Sequence, residues 1–480
     1  MSEKVPVEEL AEMQHTGSAA VNIENEEGAE MVAVDKSKPA DFADDDDDDV
    51  DADALAAALN EGQYGDDDLE GDDADAADAA DGEEEQGQLD ADAEVPDQSV
   101  ATHRGHKDAV YCVAVSPANP ALVASGAGDD SAHLLDLSDP AAPAVLLELA
   151  GLTDSVNAVA FSPDGALLAV GVMDGTVHIV DVAAREVLHE LSADGDLETL
   201  LWQPQAAGSS EPPCLATANS EGLVHLWDVA AGYARKVLSA PRREPVRSLL
   251  FLRGVTGPGG AALLLAGSEN GTVTLWDSDK GKALATLKGG NDVHQGGVIC
   301  LAQHPTQPLA VSGAQDGSVH VLSLAGASTG KLSVLARLKE AHRDSVEALT
   351  FGGTTGQPLL ASASADCVAK VWDPSRNWML RQTLQHEGGV AAAAWVPALP
   401  VLVTAAADGV VRAWDGRDGQ RLAALTGHNN AVLAMALAAP AGKGEVRVAT
   451  GSDDNTVKLW DLSAVAAKAK AGLASATTQK

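Results

Sequence analysis

Basic residues are scarce in this chain of 480: 31 Lys and Arg stand against 72 Asp and Glu, a formal charge of −41. A field of that sign repels phosphate backbones and anionic headgroups and attracts cations. Direct nucleic-acid binding is therefore excluded, and a basic partner is favoured. Cysteine is sparse as well. Cys112, Cys214, Cys300 and Cys367 lie far apart, with no CxxC pair and no Cys/His ligand spacing. That argues against a disulfide framework or a zinc site and for small buried thiols in a reducing compartment. No run of eighteen apolar residues occurs, so no helix is expected to insert into a membrane. The opening MSEKVPVEELAEMQ lacks the basic-then-apolar order of a secretory signal. The expected location is the cytoplasm, with the nucleus as a second compartment. No P-loop, dinucleotide fingerprint or HExxH is present, so neither an enzyme nor a cofactor is expected.

What charge there is lies unevenly. Residues 1–100 hold 35 acids against 3 Lys, while the rest holds 37 acids against 28 bases. The run Asp44 to Asp49 and the clusters Asp66–Asp68 and Glu83–Glu85 repel one another, and large apolar side chains are few. Such a segment buries too little surface to offset its chain entropy. Residues 1–98 are therefore predicted to be a disordered acidic arm. Within it only Leu55 to Leu59, with its alanines, offers a stretch that a partner would turn helical.

From Gln98 the composition shifts to Val, Leu, Ala and Gly, and the chain begins to repeat. The units end DDSAHLLD (129–136), DGTVHIVD (174–181), EGLVHLWD (221–228), NGTVTLWD (270–277), DGSVHVLS (316–323), DCVAKVWD (366–373), DGVVRAWD (408–415) and DNTVKLWD (454–461). Their ends fall 45, 47, 49, 46, 50, 42 and 46 residues apart. Four short strands with tight turns fit that period, and the turn residues Asp-Gly or Asp-Asn tolerate positive φ. The unit resembles the WD repeat. That implies an all-β fold, an eight-bladed β-propeller over 99–463, with a flexible Lys- and Ala-rich tail at 464–480. The last unit has no fourth strand of its own, so QSVATH (98–103) is predicted to complete blade eight and close the ring.

In WD repeats an opening-loop His, a second-strand Ser or Thr, the turn Asp and a third-strand Trp form a hydrogen-bonded chain. Three units match in full: His342, Ser362, Asp366, Trp372; His386, Thr404, Asp408, Trp414; and His428, Thr450, Asp454, Trp460. His106, Ser125 and Asp129 run into Leu135 instead of Trp, as His294, Ser312 and Asp316 do into Leu322. Units two to four lack the His and are expected to lean on apolar packing. A hydrolase triad needs one exposed nucleophile and an oxyanion hole. Repeated sets that end in a Trp are instead read as satisfying buried polar groups.

Function is sought on the top face, formed by the loops before the first strand and between the second and third. Acids outnumber bases there. The candidate partner-binding residues are Asp154, Asp194, Asp196, Glu198, Glu269, Asp344, Glu347, Glu387 and Asp453. Their companions are Asp108, Asp130, Glu221, Glu244, Asp292 and Glu340, against Arg104, Lys107, Arg242, Arg243 and Arg343. An acidic face behind an acidic arm suits a basic protein or peptide.

The whole arrangement resembles the angio-associated migratory cell protein family. The resemblance rests on the acidic arm, GHKDAVYCVAVSP (105–117), GAGDDSAHLLDLSD (126–139), TDSVNAVAFSPDG (153–165), HQGGVICLAQHP (294–305) and above all DGDLETLLWQP (194–204), where a Gly-His is expected. It implies a chaperone that holds a basic protein of the large ribosomal subunit during ribosome assembly, and a non-catalytic monomer is expected. Asp196 and Glu198 lie in the matching motif. The alternative is a general scaffold or adaptor in signalling, cell migration or ubiquitin ligation. Unit two departs by lacking its His, and insertions at 205–213 and 254–260 enlarge units three and four.

Overall fold

A computed structural model describes residues 96–478 except 140, 206–212, 355 and 440–444. The acidic arm before residue 96, with the Leu55–Leu59 stretch, lies outside the described residues. Eight four-stranded antiparallel sheets form, each one blade. Blade one runs Val110–Val115, Leu122–Ala127, Ser131–Asp136 and Ala144–Ala150, from the central channel outwards. The other blades repeat this order, and neighbouring inner strands pack side by side until Val432–Ala438 of blade eight meets Val110–Val115 of blade one.

Position in the blade dictates composition. A second strand is covered by blades on both sides, so Leu359–Ser364 is buried at every residue, whereas the outer Ala144–Ala150 alternates between half-buried and exposed. Close approach between blades also needs small residues. A Cβ on Gly126 would lie 2.3 Å from Val156 of the next blade, and one on Gly451 2.6 Å from Val110 across the closure.

The closure follows the predicted form. Ala101–His103 adds the fourth strand of blade eight, pairing Ala101 with Leu459, Thr102 with Lys458 and His103 with Val457. Gln98 N–H donates to Thr426 O at 2.9 Å. The Lys458 side chain, 2% exposed, forms an ion pair with Asp97 and donates to Thr102 Oγ1 at 3.1 Å. Beyond blade eight the expectation of a flexible tail is corrected: Ser463–Thr478 is an α-helix, α1. Alanine is the best helix former, and Ala466 and Ala469 bury against Val396, Val401, Val446 and Leu462 of blades seven and eight. The thiols differ from expectation in degree. All four are free, but only Cys214 is fully buried and the others are half-buried.

One local feature recurs in every blade. The inner strand slips register after its first residue, a β-bulge. Bulges re-aim a side chain out of the ladder. Here they place one residue per blade at the top end of its inner strand: Tyr111, Asn157, Glu198, Arg247, Ile299, Glu347, Ala391 and Leu433.

Candidate protein-binding face

Beneath the top loops lie the hydrogen-bonded chains. In blade six His342 Nδ1 bonds Asp366 at 3.0 Å, His342 Nε2 bonds Ser362 Oγ at 2.8 Å, and Trp372 Nε1 donates to the same hydroxyl at 3.0 Å. Blade eight repeats this with His428 and Asp454 at 2.9 Å, and with His428 and Trp460 each 2.8 Å from Thr450. Burial alone would raise the Asp454 carboxyl, but hydrogen bonds from His428 and Thr456 outweigh it and hold the group well below the usual carboxylate range. The Asp also accepts backbone N–H groups from both sides of its turn, Asn429 and Thr456 at 2.9 and 3.0 Å, and so locks the loop.

Blade seven departs from the sequence reading. His386 and Trp414 meet on Thr404 at 2.8 and 2.9 Å, but His386 Nδ1 donates to Leu384 O at 3.1 Å instead of to Asp408. Asp408 is drawn away by Arg412 at 2.7 Å, since a guanidinium is the stronger partner for a carboxylate. Burial, and then the Arg412 charge, push His386 down to about 4. In blades one and five a hydroxyl at the start of the third strand or just before it joins the chain: Ser131 lies 3.1 Å from His106 and 2.5 Å from Asp129, and Ser318 2.5 Å from both His294 and Asp316. Sequence reading overlooked these serines; their signal was a hydroxyl two residues after the turn Asp. Ser362, Thr404 and Thr450 have no exposed surface, so none of these hydroxyls is open to a substrate.

A second ring fills blades one and five where Trp is missing. His133 stacks on His106 at 4.0 Å and His320 on His294 at 3.8 Å. With His103, the blade-one pair forms a cluster of buried imidazoles whose nitrogens lie within 4.8 Å of one another. A tetrahedral zinc needs lone pairs that converge on one point about 2 Å from each nitrogen. Rings stacked 15° from parallel aim theirs side by side, and His103 Nε2 instead bonds His133 Nδ1 at 2.9 Å. The geometry is that of a hydrogen-bonded cluster.

On the face itself Asp154, Asp194, Asp196, Asp344, Glu387 and Asp453 are exposed, while Glu198, Glu269 and Glu347 are half-buried. Three of them are already engaged by other side chains. Arg247, which sequence reading left out, reaches Glu198 at 3.5 Å and forms an ion pair with Glu269. Asn430 Nδ2 donates to Asp453 at 2.5 Å. Arg247 holds the bulge position that Glu198 and Glu347 hold in blades three and six, an equivalence that only the strand register displays. Arg242 and Arg243 stand in the blade-four loop, both with positive φ, at 62° and 55°. Asp292 pairs with Arg337 at 2.6 Å. The face thus carries an acidic excess broken by an arginine island on blade four.

The likeness to known proteins follows the same lines. The WD domain, G-beta repeat, matches residues 97–136, 281–323, 333–373, 378–415 and 419–461. These are the five blades with a network His. The Anaphase-promoting complex subunit 4 WD40 domain matches residues 146–205. The angio-associated migratory cell protein of Canis lupus familiaris is 30% identical over 379 residues, spanning 76% of this chain and 80% of that protein. The chain belongs to the angio-associated migratory cell protein family. The Homo sapiens member is also 30% identical, over 76% of this chain and 81% of its own length. Among solved structures, Chaetomium thermophilum Sqt1 bound to the N-terminus of the ribosomal protein L10 matches with a TM-score of 0.64 and 25% identity, over 76% of this chain and 100% of that one. As a family member this chain is a WD-repeat propeller scaffold, and no helix among its described residues is long and apolar enough to cross a membrane.

Proposed function

We propose that this propeller is a non-catalytic chaperone that holds the basic segment of a large-subunit ribosomal protein on its acidic top face, as a monomer in the cytoplasm. The observation that carries the reading is the set of six exposed carboxylates around that face, Asp154, Asp194, Asp196, Asp344, Glu387 and Asp453. The likeness to a propeller solved with a ribosomal-protein N-terminus bound supports it. A flexible basic peptide meets such a face through many weak charge pairs. These steer encounter and fix partner choice more than they add affinity, and they are screened beyond about 8 Å at physiological salt. Neutral variants therefore act additively, with the exposed acids weighing more than Glu198, which Arg247 already engages.

The test is affinity purification of the tagged full chain from its own cells at moderate salt, with identification of the co-purifying basic protein. Capture is then compared between wild type and a variant carrying Asp194→Asn, Asp196→Asn and Glu198→Gln. The expected result is an enriched basic ribosomal protein whose capture falls at least ten-fold in the variant and likewise in high salt. Undiminished capture by the variant would overturn binding through this face.

A further inference from the structure

Twelve large apolar side chains are exposed among the described residues. Nine lie on the outer strands of the blades, where scattered exposure is ordinary. The other three, Tyr111 at 42%, Met173 at 42% and Leu433 at 37%, lie on the top side of three consecutive blades: one, two and eight. Tyr111 and Leu433 occupy the bulge position, which in blades three, four and six carries Glu198, Arg247 and Glu347. Met173 follows the second strand of blade two, where blade one has Gly128.

These positions are joined. The Tyr111 ring lies over Gly128, and a Cβ there would come within 3.0–3.2 Å of it, so glycine leaves the ring its seat. Gly128 O accepts the Ser155 hydroxyl at 3.5 Å, and Ser155 O accepts Met173 N–H at 2.9 Å. On the other flank Asn455 Nδ2 donates to Lys107 O at 3.1 Å and ties blade eight to the blade-one loop. The bulge positions of blades seven, eight, one and two are Ala391, Leu433, Tyr111 and Asn157, none of them charged. Around this ring of bulge positions, charge is confined to blades three, four and six, and the run from blade seven through eight and one to two carries none.

We propose that Leu433, Tyr111 and Met173 hold one aromatic or large aliphatic side chain of the same basic client segment and so fix its register on the face. The inference rests on the function proposed above and deepens it. Charge complementarity names the occupant. A peptide drawn in by the carboxylates, Asp154, Glu387 and Asp453 among them, passes over the mouth, and at the bulge positions of blades eight and one it meets Leu433 and Tyr111, which an uncharged side chain covers best. Charge pairs alone tolerate sliding, because every Arg resembles the next. An aromatic guest in an apolar seat does not, and buried aromatic anchors commonly dominate peptide affinity. Met adapts its shape to such a guest.

The test uses labelled decapeptides with five arginines and one guest residue, Trp or Ser, placed at each remaining position in turn. Binding to the full chain is read by fluorescence anisotropy. Wild type is expected to bind the best-placed Trp peptide about ten-fold more tightly than its Ser counterpart, equivalent to about 1.4 kcal/mol. In Tyr111→Ser and in the Tyr111→Ser, Leu433→Ser double variant that advantage should fall below two-fold, with the Ser peptides unaffected. Both residues are surface-exposed, and an unchanged thermal midpoint confirms folding. Equal affinity for all guests in wild type, or an advantage that survives in the double variant, overturns the inference. The Asp194→Asn, Asp196→Asn variant separates the two readings. If it weakens Trp and Ser peptides alike and keeps the Trp advantage, both stand. If it weakens neither, the charge reading falls while the guest comparison still decides the apolar seat.

Discussion

A single hydroxyl per blade organises each network, and its loss can be followed in sequence. Ser362, Thr404 and Thr450 accept the Trp Nε1–H ten residues later, and Thr217 does so for Trp227 at 2.9 Å although blade three has no network His. Blade four has Ala266 at that place, Arg242 for the His and Asn270 for the Asp, and the buried Trp276 Nε1 has no partner among the described residues. An orphaned buried donor costs about 1–3 kcal/mol. Ala266→Ser is therefore expected to stabilise the protein by about 1 kcal/mol in urea unfolding. Ala266→Val, which adds bulk without an acceptor, should give no gain. If the two variants behave alike, the Trp276 donor was not limiting. Sequence revealed the missing His of units two to four, since it is looked for at a fixed place in the opening loop. It did not reveal that Arg412 captures Asp408, because the competition between a guanidinium and an imidazole is settled by distance.

At the scale of elements, the blades were legible because each turn and third strand restates the same pattern, and the missing fourth strand of the last unit pointed to Ala101–His103. What stayed illegible depended on neighbours. Helix α1 was read as a flexible tail from its Lys- and Ala-rich composition, which shows no strand pattern. Two small buried faces, Ala466 and Ala469, supply the contact instead. The bulges were equally hidden, as period-2 alternation does not show a one-residue slip, so Tyr111 and Leu433 gave no sequence sign of facing the mouth. The closing strand is only three residues long and depends on the ion pair of Asp97 with Lys458. Removing one partner of a buried pair leaves an uncompensated charge. Asp97→Ala is expected to cost roughly 1–3 kcal/mol, moderated because Thr102 still accepts from Lys458 and water reaches the Asp97 site. Hydrogen exchange should also rise at Ala101–His103 and Val457–Asp461 before the other blades. Uniform exchange across all blades would show that this pair does not secure the closure.

For the whole molecule, the top-face acids were legible as a set but not as individuals, because Arg247 redistributes them. The histidines, by contrast, give the propeller a collective response that no single repeat announces. Burial first, and neighbouring charge second, lower His103, His133 and His386 from 6.5 to about 4 and His294 to about 3. An imidazole lowered in the folded state binds its proton more readily in the unfolded chain, so acid favours unfolding. This contribution is fully present above pH 6.5 and is lost as pH falls from there through about 4. The carboxylates act later. Asp129, Asp366, Asp408 and Asp454, held below their ordinary 3.8, lose their contribution only as pH drops beneath that value. Between these limits each proton taken up on unfolding adds a slope of about 1.4 kcal/mol per pH unit. Urea unfolding at pH 7.5, 6.5, 5.5 and 4.5 should therefore give a plateau followed by a decline whose slope exceeds one proton. The decline should begin near pH 6.5, well before the carboxylates titrate. Stability that holds level down to pH 4.5 would mean that these imidazoles carry their protons inside the fold, and that His103 and His133 do not share one.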